Sequence, residues 1–347
     1  PDVVANGGTG IASGGFNLIG NPGSLTIFNQ TGDQAGTAGT PLNPLLGPLA
    51  NNGGPTQTHA LLVGSPAVDK GSNAGSGVTI DQRGLTRPRN LAGYDNAPGG
   101  DGSDIGAYEE QTEPTAQTLV VTNLNDSGAG SLRQAILNSN ATVDAVDTIN
   151  FQPGLTGTLT LTSGELFITR SVTINGPGAG LVSVSGNNAS RVIQCSFNPA
   201  SIVTISGLTI TGGLSGSGGG IRNGSALTLT NVVVSGNSST GGAGGGIFSN
   251  GPLTIINSTI SGNTALEDGG GIIFDNTSAN LTVSNSTISG NTVTLGSSQG
   301  GGVWVQAAAA NITNSTITNN SIAGAAAASG LFRNGGSVTL RNTIVAG

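Results

Sequence analysis

Residues 253–263 read LTIINSTISGN, and variants of this stretch recur through the second half of the chain. In register, the copies begin at Val203, Leu227, Leu253, Leu281, Ala310 and Val338. The steps between successive starts are therefore 24, 26, 28, 29 and 28 residues. A nearly constant period of this length is typical of a repeat architecture in which each unit stacks on the next.

A second, glycine-rich block lies between these copies. It reads GGGI or GGGV at residues 218–221, 244–247, 269–272 and 300–303, and ASGL at 328–331. In LTLTN, residues 227–231, apolar residues alternate with threonine, which is the period of a strand with one buried face. Three short strands and glycine-rich corners in each period predict an all-β fold. We expect a right-handed parallel β-helix with 24–29 residues per coil.

The columns of the repeat predict its core. We expect inward ladders of aliphatic side chains, with Leu227, Leu253, Leu281 and Val338 in one, and Ile221, Ile247, Ile272, Val303 and Leu331 in another. Two further columns are Leu229, Ile255, Val283, Ile312 and Leu340, and Val234, Ile260, Ile288 and Ile317. One coil alone buries too little apolar surface to be stable. Both ends of the stack are therefore edges that need a cap or a partner.

Each coil also carries an asparagine at the end of its first strand. The column comprises Asn231, Asn257, Asn285, Asn314 and Asn342. Amide side chains at such a bend can bond one another and the backbone of successive coils. We interpret the column as a structural asparagine ladder. The outward threonines Thr228, Thr254, Thr282 and Thr339 favour strand formation, with contact to ice or a glycan as the alternative.

Composition narrows the class of protein. The 347 residues include 61 Gly, and 35% of them are hydrophobic, which favours a packed chain over disorder. Ten basic residues against seventeen acidic ones leave no phosphate-neutralising patch, so we expect no nucleic-acid partner. No apolar run is long enough for a membrane span. Cys195, the single cysteine, is expected to be a buried apolar side chain.

The chain divides into four segments. Residues 1–113 lack the GGGI block, are rich in proline and glycine turns, and hold ten of the seventeen acids. We interpret them as a closing segment that caps a β-helix. A linker at 114–118, a start cap with a short helix at 119–152 and the coils at 153–347 follow.

The start cap holds the one convincing helical pattern. Leu132, Ala135, Ile136 and Ser139 lie at helical spacing, and Ser131 precedes them as an N-cap. Laid across the first coil, a short amphipathic helix would cover the lower edge of the stack. We therefore predict a capping helix here.

The sequences of several stretches resemble those of a known protein family. Residues 121–136 (VTNLNDSGAGSLRQAI) and 160–178 (TLTSGELFITRSVTINGPG) resemble bacterial secreted β-helix proteins with a CSLREAI-type start, here without its cysteine. Four other pieces resemble the choice-of-anchor Q domain that closes those helices, namely residues 14–21, 43–71, 81–90 and 101–109. The resemblance implies an extracellular or cell-surface, adhesin-like bacterial protein, and it carries over no catalytic residue.

The order of the segments departs from that family, in which the closing segment follows the coils. A coil running from Asn342 through the chain end and on to Asn21 would hold 26 residues, within the range of the observed steps. Ending that coil at Asn17 would give 22 residues, which is slightly short. We therefore expect a permuted repeat, in which residues 1–113 belong to the preceding unit of a head-to-tail array.

One loop has the composition of a cation site. Asp95, Asp101 and Asp104 lie in YDNAPGGDGSD, and oxygen-rich, glycine-bent loops suit Ca²⁺. The spacing does not match an EF-hand. The alternative is that these aspartates cap turns.

The remaining charged residues do not form a catalytic pattern. We expect Asp81, Arg83, Arg87 and Arg89 to form ion pairs that tie the closing segment to the helix end, and likewise Asp69 and Lys70. Glu267 and Asp268 are interpreted as solvated loop charges, and His59 as a packed or surface histidine. Glycosidases and calcium-dependent lyases need clustered carboxylates, which the coils lack. We therefore expect no enzyme.

These patterns predict a structural extracellular protein, the repeat unit or subunit of a head-to-tail surface fibre or giant adhesin. About nine coils would give roughly 40 Å of stack. The expected partners are identical units and, in the alternative of an adhesin domain, surface glycans; exposed aromatic rings at Trp304 and Phe248 would favour that alternative. A polysaccharide lyase or hydrolase is the weaker alternative. Whether units join covalently or as separate subunits stays open.

Overall fold

The computed structural model describes residues 1–4, 10–62, 64–91, 94–112, 116–141, 146–198, 200–324 and 329–346. The chain forms two compact units. The first, called here the N-terminal unit, is Pro1–Thr115 with Ala141–Ala145; the second, the solenoid unit, is Ala116–Asn140 with Val146–Gly347.

The N-terminal unit has little regular structure. Its strands are β1 (Leu18–Ile19), β2 (Gln34–Ala35), β3 (Leu46–Ala50) and β4 (Thr58–Leu61). Strands β1 and β2 are parallel, whereas β3 and β4 are antiparallel. A small apolar core centres on Leu61, Ala67, Val68 and Leu91.

The solenoid unit consists of one helix and short strands. Up to the fifth coil they are β5 (Thr118–Val121), α1 (Leu132–Ala141), β6 (Asp147–Phe151), β7 (Gly157–Thr160), β8 (Leu166–Ile168), β9 (Val172–Asn175), β10 (Val182–Ser185), β11 (Ile193–Cys195), β12 (Ile202–Ser206), β13 (Thr209–Thr211), β14 (Leu214–Ser215), β15 (Ile221–Asn223), β16 (Ala226–Thr230), β17 (Val233–Ser235) and β18 (Ser238–Ser239). The rest are β19 (Ile247–Ser249), β20 (Leu253–Ile256), β21 (Thr259–Ser261), β22 (Thr264–Ala265), β23 (Ile272–Ser284), β24 (Thr287–Ser289), β25 (Thr292–Val293), β26 (Val303–Thr313), β27 (Thr316–Thr318), β28 (Ser321–Ile322), β29 (Leu331–Arg341) and β30 (Ile344–Ala346).

All strand pairs of the solenoid unit are parallel, and each joins a strand to its equivalent in a neighbouring coil. We call first face the one that contains β12, β16 and β20, and third face the one that contains β8, β11, β15 and β19. On the second face, β7, β10, β13, β17, β21, β24, β27 and β30 form an eight-stranded sheet. The predicted parallel β-helix is therefore confirmed, with about eight complete turns where the sequence suggested nine. The difference arises because the chain before Gly157 contributes β5, β6 and the helix but no strand of the second face.

The predicted inward columns lie in register and are buried. Leu227 pairs with Leu253 and Leu253 with Leu281 on the first face. On the third face, Ile221, Ile247, Ile272 and Val303 follow one another and are all buried. Because strand side chains alternate, the threonines between these positions point outward. The pattern of one apolar face per strand thus produces a continuous core along the stack.

The predicted asparagine column occupies a sharp corner. Asn231, Asn257, Asn285, Asn314 and Asn342 have φ values between 48° and 54°. Asparagine tolerates this left-handed region better than other residues with a side chain. The side chains are exposed, and the amide-to-amide bond that the structure describes in this column joins Asn342 Nδ2 to Asn314 Oδ1 at 3.2 Å. The predicted ladder is thus present between the last two members of the column, and for Asn231, Asn257 and Asn285 it stays a prediction.

A buried amide ladder runs along a different column, formed by the asparagine of each SGN or TNN motif. Asn237, Asn263, Asn291 and Asn320 are buried, and the Nδ2 of each of the first three donates to the Oδ1 of the next at 2.9–3.0 Å. Each backbone N–H donates to the same oxygen, as Asn263 N does to Asn291 Oδ1 at 3.0 Å. Without water, these amides must satisfy one another, so they fix the register of successive coils.

The predicted helix is present as α1. Leu132, Ala135, Ile136 and Ser139 are its buried side chains, as the spacing indicates. Ser131 Oγ accepts a hydrogen bond from Gln134 N at 3.1 Å, which is N-cap geometry. No helix in the described part of the chain is long and apolar enough to cross a membrane.

Candidate functional site

The N-terminal unit contains the three aspartates of the calcium hypothesis. Asp104 is buried, and its two carboxylate oxygens accept hydrogen bonds from the backbone N–H groups of Asp69, at 2.7 Å, and Glu110, at 2.5 Å. Asp101 Oδ2 accepts one from Asn73 N at 2.8 Å. These two carboxylates cap turns of the backbone, which is the alternative to cation binding.

Asp95 is placed differently, since its side chain is exposed and its backbone carbonyl accepts a hydrogen bond from Lys70 Nζ. Among the residues that the structure describes, no three His, Cys, Asp or Glu side chains are grouped so that they could hold a metal ion. The calcium hypothesis for Asp95, Asp101 and Asp104 therefore gains no support from the geometry.

Burial makes the Asp104 carboxyl an unusually weak acid. Desolvation raises its pKa from 3.8 to about 7, and the nearby charges of Glu109 and Asp69 act in the same direction. Burial also raises the pKa of Glu109. The folded unit therefore holds protons that an unfolded chain has already released at pH 5.

We expect the N-terminal unit to become less stable as the pH rises from 5 to 8. A carboxyl whose folded pKa is raised stabilises the fold in its protonated form, and this contribution is lost as the pH rises through about 7. Both tyrosines of the chain, Tyr94 and Tyr108, lie in this unit, so tyrosine fluorescence can follow its thermal unfolding. An Asp104→Ala variant should reduce the pH dependence, whereas Asp101→Ala should retain it. A melting temperature that is equal or higher at pH 8 would contradict this expectation.

Two arginines of the N-terminal unit form ion pairs inside that unit. Arg83 Nη2 lies 2.8 Å from Asp81 Oδ2, and its guanidinium stacks 3.6 Å from the ring centre of Tyr108. Arg87 Nε lies 3.6 Å from Glu109 Oε2. The Arg83–Asp81 pair lies within one turn, whereas the Arg87–Glu109 pair joins two separate segments of the unit.

The other candidate residues are dispersed. His59 is exposed on β4, with Nδ1 2.7 Å from the Gly47 carbonyl oxygen. Glu267 is exposed, whereas Asp268 Oδ1 accepts a hydrogen bond from Gln299 N at 2.6 Å. Cys195 is buried on β11, and burial raises the pKa of its thiol to about 12. These four residues do not form a cluster that could act as a catalytic site.

An outward column on the third face collects large side chains that the sequence only partly indicated. In register, it comprises Phe167, Gln194, Arg222, Phe248, Ile273, Trp304 and Phe332. Trp304 is only 8% exposed, so it presents no open ring face to a sugar. The Arg222 guanidinium lies 5.7 Å from the Phe248 ring centre and 5.1 Å from that of Phe197. Sequence reasoning missed this cluster because its residues come from separate coils and a loop.

The last described coil, formed by β29 and β30, presents an open apolar edge. Its Leu340 is 45% exposed, whereas Ile312, the register partner in the coil below, is 0% exposed. Val345 is 43% exposed, and its partner Ile317 is 0% exposed. Ile344 is 60% exposed. Leu340 and Val345 are therefore partly exposed at positions that are buried in the coil below, whereas the register partner of Ile344 is the half-buried Thr316.

Comparison with known proteins identifies the family. A family model described as the right handed beta helix region matches residues 156–345, which is more than half of the chain. No curated protein matches the chain. The match covers the coils whose parallel strands, inward ladders and asparagine corners are described above, and the chain therefore belongs to the right-handed β-helix family.

Proposed function

We propose that this chain is a structural unit of an extracellular bacterial surface fibre or giant adhesin, in which identical units join head to tail. The observation that carries the proposal is the open edge of the last described coil. Leu340 and Val345 expose apolar surface at positions whose equivalents are buried wherever another coil follows, and Ile344 between them adds exposed apolar surface at an outward position. A further coil stacked on this edge would bury them, and apolar burial of this kind drives association.

The backbone of the same edge supports association. Strand β29 is 11 residues long, and one side of it pairs with β26. An edge strand carries a row of N–H and C=O groups that can template another strand. The surface formed by β29 and β30 therefore offers both apolar side chains and backbone groups to an added coil.

The charge of the coils favours close stacking. From Val203 onward the chain contains three acidic residues, Glu267, Asp268 and Asp275, and three arginines. Because the coils from Val203 onward carry no net charge, their end can approach the acidic N-terminal unit of a second copy without strong electrostatic repulsion. The outward threonines and serines keep the lateral faces hydrated. These features, with the resemblance of the chain to secreted bacterial proteins, favour an extracellular fibre.

We expect Leu340→Asp and Val345→Asp to weaken self-association by at least about tenfold, the equivalent of about 1.4 kcal/mol. Each change places a carboxylate where the proposal buries an apolar side chain. Sedimentation over a concentration series measures the association. The folded unit should survive both changes, because the two side chains are already partly solvated.

The matched control is Ile202→Asp. Ile202 is 56% exposed but points outward from the side of β12, away from the open edge. It should leave association unchanged. A wild-type chain that stays monomeric throughout the series, or a control that weakens association as strongly as the edge variants, would count against the proposal.

A second experiment distinguishes the two forms of assembly. The native material is boiled in detergent, and its mass is compared with the 33.7 kDa of this chain. A species of that mass supports separate subunits. A far larger species supports one covalent tandem polypeptide.

A further inference from the structure

Three successive corners of the solenoid, those of Asn231, Asn257 and Asn285, are joined to the next coil by the same three hydrogen bonds. At the corner of Asn257, its N–H donates to the Ser284 carbonyl at 3.1 Å. The following residue, Ser258, donates its N–H to Ser286 Oγ at 3.1 Å. The Ser258 carbonyl accepts a hydrogen bond from Thr287 N, the first residue of the next strand, at 3.0 Å.

The same three bonds recur one coil further on. Asn285 N donates to the Thr313 carbonyl at 3.1 Å, and Ser286 N donates to Ser315 Oγ at 3.2 Å. Thr316 N donates to the Ser286 carbonyl at 2.9 Å. The corner is thus defined by a residue with positive φ, a polar side chain after it, and a short parallel strand.

The N-terminal unit contains this corner as well. Phe16 N donates to the Thr31 carbonyl at 2.9 Å, and Asn17 N donates to Asp33 Oδ1 at 3.0 Å. Gln34 N donates to the Asn17 carbonyl at 2.7 Å. All three bonds of the solenoid corner are therefore reproduced in this unit, with Asn17 and Asp33 at the serine position.

Backbone angles and strand pairing complete the match. Phe16 has φ 56° and Gly32 has φ 74°, the region occupied by the corner asparagines. Two residues after each, β1 and β2 begin, and they pair in parallel with Leu18 opposite Gln34. Strands β1 and β2 are therefore two stacked rungs of a β-helix corner within the N-terminal unit.

Among the described residues, no strand pairs with the lower edge of this pair. The Asn17 and Ile19 carbonyls accept hydrogen bonds from Gln34 and Gly36 of the β2 side. In a parallel strand the backbone groups alternate in direction, so Leu18 N–H and C=O point to the opposite edge. Asn17 Oδ1 accepts no hydrogen bond among the described residues. This edge therefore offers the donor and acceptor that a preceding corner would use.

We propose that β1 of one copy of this chain pairs in parallel with β30 of a second copy. This inference rests on the proposed head-to-tail assembly and names the strands that meet in it. The corner of Asn342, with φ 48°, would lie directly below the corner of Phe16. Ile344 would then lie opposite Leu18, and Val345 opposite Ile19. The contact continues the coil-to-coil interface that already joins β27 to β30.

The pattern of the other corners specifies three hydrogen bonds across the junction. Asn342 N–H donates to the Gly15 carbonyl, and Thr343 N–H donates to Asn17 Oδ1. Leu18 N–H donates to the Thr343 carbonyl. A second copy fits the lower edge of β1 because its last described coil exposes the complementary backbone groups and the apolar column that ends in Val345.

Cross-linking of cysteine variants tests the register. One preparation carries Val345→Cys and the other Ile19→Cys; they are mixed and oxidised, and the linked peptides are identified by mass spectrometry. Native Cys195 is fully buried and should not compete. The matched control replaces Ile19→Cys with Leu18→Cys, which is one residue out of register and on the other face of β1. We expect the 345–19 link to form at least about tenfold faster than the 345–18 link, since neighbouring strand positions face opposite sides.

Sedimentation of the same mixtures separates the two hypotheses. Association with equal rates for the two links, or with no link, would overturn the pairing of β1 with β30 and leave head-to-tail assembly standing. Absence of association and of links would overturn both. Should Ile19→Cys disturb the N-terminal unit, as judged by tyrosine fluorescence, the in-register pair Ile344→Cys and Leu18→Cys tests the same contact.

Discussion

Replacing Asn263 with alanine should destabilise the solenoid unit by about 3 kcal/mol or more, because several buried polar groups lose their partners together. Asn263 Oδ1 accepts hydrogen bonds from the backbone N–H and Nδ2 of Asn237, at 3.1 and 3.0 Å. Its Nδ2 donates to the Val234 carbonyl and to Asn291 Oδ1, both at 2.9 Å. Urea unfolding followed by Trp304, the single tryptophan, measures the loss in this unit.

The matched control is Asn257→Gly. Asn257 recurs as regularly in the sequence, yet it is exposed and its role is the left-handed corner, with φ 50°. Glycine adopts that conformation without strain, so this variant should change stability by less than about 1 kcal/mol. Equal losses for the two variants would show that the buried amides do not contribute more than the exposed ones.

The substitution Gly270→Ala, which adds one methyl group, should destabilise the solenoid unit by about 3 kcal/mol, nearly as much as Asn263→Ala. A Cβ at this position would lie 2.5 Å from the Gly301 carbonyl oxygen and 2.7 Å from that of Thr292. Both atoms belong to backbone, which cannot move aside without disturbing the neighbouring coils. The GGGI blocks are thus glycine-rich because the chain passes close to the backbone of adjacent segments.

Gly216→Ala is the control for this prediction, since a Cβ there would meet no atom within 4 Å. Neither glycine is in the left-handed region, so the comparison isolates the steric effect from backbone strain. Urea unfolding should show Gly216→Ala close to wild type. A Gly270→Ala variant of the same stability would contradict the close packing of the coils.

The periodicity of the sequence was sufficient to predict the fold. Alternation of apolar residues with threonine defined the strands, and the spacing of successive copies aligned the columns that are buried in the structure, such as Ile221 and Ile247. The helix was predictable from Ser131 and the positions after it, because N-capping and helical spacing are local properties. Features of this kind depend on residues close together within one repeat.

Periodicity could not show which of the two asparagine columns forms the buried amide ladder, since both recur once in each coil. Their difference is one of direction: Asn257 faces solvent, whereas Asn263 points into the stack. The residue before Asn263 is Gly262, with φ 62°, and a left-handed glycine there turns the chain at that point. A glycine immediately before the asparagine, as in SGN, was the available signal.

The corner of the N-terminal unit was equally inaccessible from the sequence. Phe16 and Gly32 share neither residue type nor spacing with the asparagine corners, and only their φ angles and hydrogen bonds reveal the equivalence. The direction of the Asp104 carboxylate, toward backbone N–H groups, likewise depends on tertiary contacts with Asp69 and Glu110. Composition alone left both cation binding and turn capping open for that loop, with turn capping favoured.

Cryo-electron microscopy of the concentrated chain shows whether units join head to tail. We expect filaments in which the coil spacing of about 4.8 Å continues without interruption from the last coil of one unit into the next. Discrete particles of 33.7 kDa at the same concentration, with Leu340 and Val345 still facing solvent, would contradict it.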